Sequence, residues 1–309
     1  NATQGWVPTI DEAVADAPSK GNDKGIFGFG YDGSNYSLTN LVSNSGVVAT
    51  DVTGVGTDRR GLAACEYGTD TAIFGFGHTT GVVSMSNLVS NAGVVATDTT
   101  GVGTARRELA ACSYGEDKGI FGFGDTGAVY TGATNLVSNA GVVATDTSGV
   151  GTARFYLAAT QYGGDKAIFG FGNDGSVTAV TNLVSNAGVV ATDTSGVGTA
   201  RSGLGACSYS GDNDKGIFGF GTTGSVTGVT NLVSNTGVVA SDVSAVGTAR
   251  QKLAACEYGG DKGIFGFGAN QDDSTFYGVT NLVSNAGVVA SDVSAVGTVR
   301  AYLGGCSFA

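Results

Sequence analysis

The chain has 309 residues, 41% of them hydrophobic and 13% charged, against roughly 25% charged in an ordinary globular domain. Its 54 glycines and 2 prolines exclude collagen, which needs glycine at every third position and abundant proline, and recurrent Ile, Val, Leu and Phe exclude generic disorder. Fifteen basic residues against 26 acidic ones give a net charge of −11, which repels a phosphate backbone, so nucleic acid is not an expected partner.

In chain order, residues 1–22 stand apart from the rest. Thr9-Ile10-Asp11-Glu12 reads as a capping box ahead of a short helix that stops near Pro18. This segment is expected to be an N-terminal arm, either a plain terminal extension or an anchor to a partner. No apolar run approaches the ~18 residues that cross a bilayer. A soluble protein with no transmembrane segment and no membrane insertion is therefore expected.

From residue 23 to 309 the chain repeats itself. The string IFGFG begins at Ile26, Ile73, Ile120, Ile168, Ile217 and Ile264, at intervals of 47 to 49 residues. Each copy continues through T/S-N-L-V-S-N and G-V-V-A-T/S-D to an arginine: Arg59, Arg106, Arg154, Arg201, Arg250 or Arg300. Repeats thus start near residues 23, 70, 117, 165, 214 and 261. No helical spacing of apolar residues runs through the unit. Instead, four short runs rich in Val, Phe, Tyr and Thr alternate with Gly, Asn, Ser and Asp. In the fifth copy these runs are 204–209, 216–221, 225–234 and 237–246.

Four antiparallel strands in ~45 residues is the unit of a propeller blade. The first copy lacks the first run, and the chain ends on a surplus first run, Leu303–Ala309. The expected fold is therefore an all-β, six-bladed β-propeller of four-stranded antiparallel blades. Its ring closes when the C-terminal strand pairs with the N-terminal blade, which removes an aggregation-prone edge.

The order Arg, apolar strand, D-K-G-I-F-G-F-G, a Tyr31-Asp32-Gly33-Ser34 type loop, then a strand, a turn and a last strand resembles the kelch repeat. The kelch glycine doublet is G-F-G here, and the only tryptophan, Trp6, lies outside the repeats. The wording of the repeat (TNLVSN, GVVATDTSGVGTAR, YGxDKxIFGFG) is also similar to tandem repeats in virion proteins of uncultured marine bacteriophages. That resemblance implies a structural or adhesive role in a virion, as a tail or fibre component, and a virion or extracellular location.

Residues that could carry chemistry recur in every blade, as packing devices do. Cys65, Cys112, Cys207, Cys256 and Cys306 share one strand position, where the third blade has Thr160. They lack C-x-x-C spacing and are expected to be free core thiols rather than a metal site or disulfides. Asp-Lys pairs such as Asp117-Lys118 are expected in turns. The aspartates Asp51, Asp98, Asp146, Asp193, Asp242 and Asp292 are expected to cap turns locally, and the six arginines to strut neighbouring blades. His78 is the only histidine, so a histidine-dependent triad has no evident partner set. A facing carboxylate pair among Asp32, Asp125, Asp174, Asp272 and Asp273 is not marked out by the sequence, and no regular calcium spacing occurs. A non-enzymatic protein without cofactor or metal is the resulting expectation.

The differences between copies gather at one rim, formed by the loops after the second and fourth strands. Tyr31, Tyr36, Tyr130, Phe155, Tyr156, Phe276, Tyr277 and Tyr302 lie there, with His78, Arg60, Arg107 and Lys252. Drift would favour Ser, Gly and Asn, whereas contact surfaces accumulate aromatics. The expected site is this rim, centred on Tyr156, Tyr277 and Tyr302, taking a protein or a surface glycan. A lectin-like glycan-binding propeller and an engineered consensus scaffold are the alternative readings.

Overall fold

The computed structural model describes residues 23–211, 213–294 and 296–309; the expected helix before Pro18 lies outside them. The described residues are all-β, in six three-stranded antiparallel sheets. The first sheet joins β1 (Lys24–Tyr31) and β2 (Asn35–Val42) to the C-terminal β18 (Gly304–Phe308). The second holds β3 (Ala63–Tyr67), β4 (Thr71–His78) and β5 (Val82–Val89). The third holds β6 (Ala110–Tyr114), β7 (Lys118–Gly122) and β8 (Thr134–Val137). The fourth holds β9 (Ala158–Tyr162), β10 (Lys166–Gly170) and β11 (Thr181–Val184). The fifth holds β12 (Gly205–Tyr209), β13 (Lys215–Gly219) and β14 (Thr230–Val233). The sixth holds β15 (Ala254–Tyr258), β16 (Lys262–Gly266) and β17 (Thr280–Val283). No helix among the described residues is long and apolar enough to cross a membrane.

The fourth run of each copy departs from the expected full strand. It touches the third strand only through isolated bridges, such as Val233↔Val239 and Thr230↔Val243 in the fifth copy. The reason is a side chain that takes a backbone's place. Asn231 Nδ2 donates to the Ala240 carbonyl at 3.0 Å and to Asp242 Oδ1 at 2.8 Å, and so wedges the ladder open between the two bridges. Asn40, Asn87, Asn135, Asn182 and Asn281 make the same pair of bonds.

Sheets pack on sheets by matching glycine to bulk. A Cβ on Gly28 would lie 2.7 Å from the Phe74 ring, and one on Gly75 would meet Phe121 at the same distance. The pattern repeats through Phe169, Phe218 and Phe265, and Gly266 of the sixth sheet faces Phe27 of the first. Cysteine sulfurs fill the next layer. A Cβ on Gly119 would come within 2.5 Å of Cys65 Sγ, and one on Gly25 equally close to Cys256 Sγ. All five cysteines are buried and free, and burial pushes every thiol pKa up. The second phenylalanine of each IFGFG adopts a left-handed backbone, φ 62–64°. That conformation costs a non-glycine residue about 1 kcal/mol, and it turns the ring toward the next sheet, as in the Phe29–Phe74 edge contact at 5.2 Å.

Each arginine is fully buried between two copies. Arg106 lies 4.2 Å over the Phe76 ring of the preceding sheet. It donates from Nε to the Phe123 carbonyl at 2.8 Å and from Nη2 to Asn135 Oδ1 at 2.6 Å in its own sheet. Burial lowers the six guanidinium pKa values to about 10, and they remain charged at neutral pH. In the copies ending at Arg201 and Arg250 the Nη2 atom and its asparagine oxygen stay unpaired.

The six aspartates do not cap local turns. Each reaches back to the preceding copy: Thr104 Oγ1 donates to Asp146 Oδ2 at 2.6 Å, and the Thr104 amide to the same carboxylate at 3.0 Å. The equivalent hydroxyl bonds span 2.5–2.7 Å, including Thr298 to Asp51, from the last copy to the first. Burial raises these carboxyl pKa values, but the threonine, asparagine and arginine partners together outweigh it and hold all six below the ordinary range.

A carboxyl with a depressed folded pKa contributes stability above its unfolded value, near 3.9, and loses it as pH falls through the folded value. The melting temperature is therefore expected to fall steeply below about pH 4, with Asp98→Asn flattening part of that fall. A melting temperature unchanged from pH 6 to pH 3 would contradict the clamp.

Candidate ligand-binding mouth

The four-residue run from each buried arginine to the next leucine is constant at its ends and variable in its middle. At the second variable position stand Gly61, Glu108, Tyr156, Gly203, Lys252 and Tyr302. All six have left-handed backbones, φ 53–64°. Their backbones bond head to tail. Gly61 N donates to the Tyr302 carbonyl, Tyr302 N to Lys252, Lys252 N to Gly203, Gly203 N to Tyr156, Tyr156 N to Glu108, and Glu108 N to Gly61, at 2.6–2.9 Å. This collar surrounds one end of a narrow channel lined by all six first strands. Beneath it lie Leu62, Leu109, Leu157, Leu204, Leu253 and Leu303, enclosing about 70 Å³.

Positions three places apart in the cycle face each other, so Glu108 opposes Lys252, Tyr156 opposes Tyr302, and two glycines leave gaps. Tyr156 donates its hydroxyl to Glu108 Oε1 at 2.9 Å. Tyr302 donates its own to Asp273 Oδ2 at 2.6 Å, and Lys252 Nζ reaches the same oxygen at 2.7 Å. The Lys252 ammonium also sits 4.7 Å from the Tyr302 ring centre. Asp273 Oδ1 is buried and has no hydrogen-bond partner.

Burial pushes the Glu108 carboxyl above the ordinary carboxylate range, although Tyr156 and Arg107 pull it down. Burial also raises the Tyr156 and Tyr302 phenols. For Lys252 burial works downward, but Asp273 and Tyr302 hold the ammonium above its usual value.

An aromatic stripe crosses the mouth. Tyr130 stacks on Phe155 with ring centres 4.5 Å apart, and Phe155 meets Tyr156 at 4.7 Å. Tyr156 meets Tyr302 at 6.3 Å, Tyr302 meets Tyr31 at 6.3 Å, and Tyr31 meets Phe276 at 6.1 Å. Arg60 lies 4.1 Å over Tyr31. Six of the eight residues expected at the site therefore form one contact chain. Tyr36 instead donates to Asp32 at 3.2 Å, and Tyr277 makes no ring contact among the described residues.

Of the candidate carboxylates, Asp125 is held by Arg107 at 3.0 Å and Asp272 by Ser274 at 2.8 Å. Among the described residues, no group of three or more His, Cys, Asp or Glu is placed to hold a metal ion. Glu108 and Asp273 were not legible as site residues from their types alone. The signal that finds Glu108 is its column, G-E-Y-G-K-Y across the copies, between an invariant arginine and an invariant leucine.

The opposite end of the channel is polar: Glu66, Ser113, Gln161, Ser208, Glu257 and Ser307 surround about 50 Å³. Ser208 donates to Glu257, and Asn213, from the insertion unique to the fifth copy, donates to Gln161. No known protein family matches this sequence, and no curated protein matches it.

Proposed function

We propose that the six sheets are the blades of a closed six-bladed propeller, kelch-like in repeat order, which serves as a non-enzymatic binding module. Closure is supported by the β1–β18 ladder, the Phe27–Gly266 contact and the head-to-tail bond cycle around the channel mouth. The binding role rests on one observation above all. In a molecule that repeats its chemistry in every copy, aromatic and charged side chains that differ from copy to copy converge at one mouth. The wording of the repeat supports a virion component of a bacteriophage, in a tail or fibre, contacting a partner or host surface through this rim.

Fluorescently labelled protein applied to a panel of marine bacterial cells should bind saturably to some of them. Tyr130→Ala, at a half-exposed ring, should lower that binding at least tenfold with an unchanged melting temperature. Binding that survives Tyr130→Ala and Tyr302→Ala but is lost with Lys166→Ala or Asn186→Ala, at the opposite rim, would reverse the assignment.

A further inference from the structure

We infer that the aromatic stripe across the channel mouth is a binding site for a neutral saccharide chain. This rests on the proposed use of that rim and adds the chemistry of its ligand. The stripe is one ring wide, running from Tyr130 through Tyr156 and Tyr302 to Phe276. A protein partner needs roughly 800 Å² of complementary surface on each side, which a single file of rings does not supply. A pyranose ring needs less, because its C–H face lies flat on one aromatic ring while its hydroxyls reach polar groups at the ring's edge.

Charge decides which saccharide. Two of the three cations beside the stripe are already in ion pairs, Lys252 with Asp273 at 2.7 Å and Arg107 with Asp125 at 3.0 Å, while Arg60 lies over the Tyr31 ring and donates to the Asn35 side-chain amide oxygen. A charged ligand over the centre formed by Tyr156 and Tyr302 would have to break one of these pairs in a half-buried setting, where leaving the other ion alone is costly. An acidic glycan would also approach a chain of net charge −11. Neutral hydroxyls can bond to paired ions without separating them.

The unpartnered Asp273 Oδ1 is a buried acceptor on the carboxylate that the Tyr302 hydroxyl and Lys252 hold, and an O–H or N–H donor that reaches it as the loop shifts would satisfy it. A saccharide brings a hydroxyl donor at most of its ring carbons, whereas the prolines of the other ligand that aromatic grooves take, a proline-rich peptide, carry no N–H. The rings are held by edge and stacked contacts with each other, so little side-chain freedom is lost on binding.

The test is an array of neutral, sialylated and sulfated oligosaccharides with proline-rich peptides included, followed by calorimetry with the best neutral hexasaccharide. Neutral oligosaccharides alone should bind, and Tyr130→Ala and Asp273→Asn should each weaken them at least tenfold. Tyr130 is 39% exposed, so its loss leaves the fold intact, and melting curves check this. No binding of any neutral oligosaccharide at millimolar concentration overturns the proposal. Binding of acidic glycans or proline-rich peptides instead, sensitive to Tyr130→Ala, overturns the ligand class but upholds the rim. Neutral-glycan binding that ignores both stripe variants and responds to Lys166→Ala overturns the rim itself.

Discussion

Removing Leu303–Ala309 should abolish the folded monomer. The segment supplies β18, whose residues pair with β1 from Lys24↔Phe308 to Gly28↔Gly304. It buries Leu303, Cys306 and Phe308 to within 6% of complete burial, and Ala309 exchanges backbone bonds with Asp23 and Asp70. Burying a leucine and a phenylalanine contributes about 1.5–3 kcal/mol each, and each net ladder bond adds about 1 kcal/mol. Their sum approaches the 5–15 kcal/mol that holds a whole domain together. Loss of β18 also bares the inner edge of β1, a template for pairing with other chains. Size-exclusion chromatography with light scattering should show aggregate in place of monomer. A truncated protein that remained monomeric, with an unchanged melting temperature, would mean that β18 is dispensable and the closure unneeded.

Arg106→Ala should cost about 3–5 kcal/mol, the range for removing one partner of a buried ionic and hydrogen-bonded set. The substitution strips partners from the Phe123 and Thr104 carbonyls and from Asn135 Oδ1, and it leaves a void over the Phe76 ring. Arg106→Lys keeps the charge but not the planar fork, and should recover less than half of the loss. Urea unfolding at neutral pH measures both variants. If the arginines are struts, Arg201→Ala should cost less, because Arg201 lacks the asparagine bond that Arg106 makes. Equal, small losses at both positions would show that the guanidinium is merely accommodated.

The repeat period, the first two strands of each unit and the role of the arginines were legible because each depends on residues close in sequence or on the identity of copies. The third strand was overextended by the sequence reading, from residue 225 rather than Thr230 in the fifth copy. Thr227 contributes to this. Its hydroxyl accepts a bond from the Val229 amide at 3.2 Å and draws the backbone out of the ladder, as Thr131 and Thr178 do in their own copies. In the first two copies that threonine is missing, and β2 and β5 run to eight residues. The sixth copy has Tyr277 in its place and β17 still begins only at Thr280, so the threonine is not the sole cause of the shortening.

The aspartates differ from the expected local caps because their threonine partners lie more than 40 residues away in sequence, a distance that local turn chemistry does not reach. The convergence of Tyr130, Tyr156, Tyr302 and Phe276 was legible only as a shared rim. Which of those rings would touch depends on the angular order of separate copies, and that order is not written in any one copy.

The collar separates holding from recognising. Six backbone hydrogen bonds, one donated and one accepted at each position, fix it without any side chain, and the left-handed geometry is already occupied by glycine, glutamate, lysine and tyrosine alike. The fold therefore holds four different residue types in one backbone geometry around one opening, so the side chains that line the mouth differ while the bond cycle stays the same. On the binding role proposed above, a change of ligand requires new side chains at these positions and leaves the bond cycle that holds them in place.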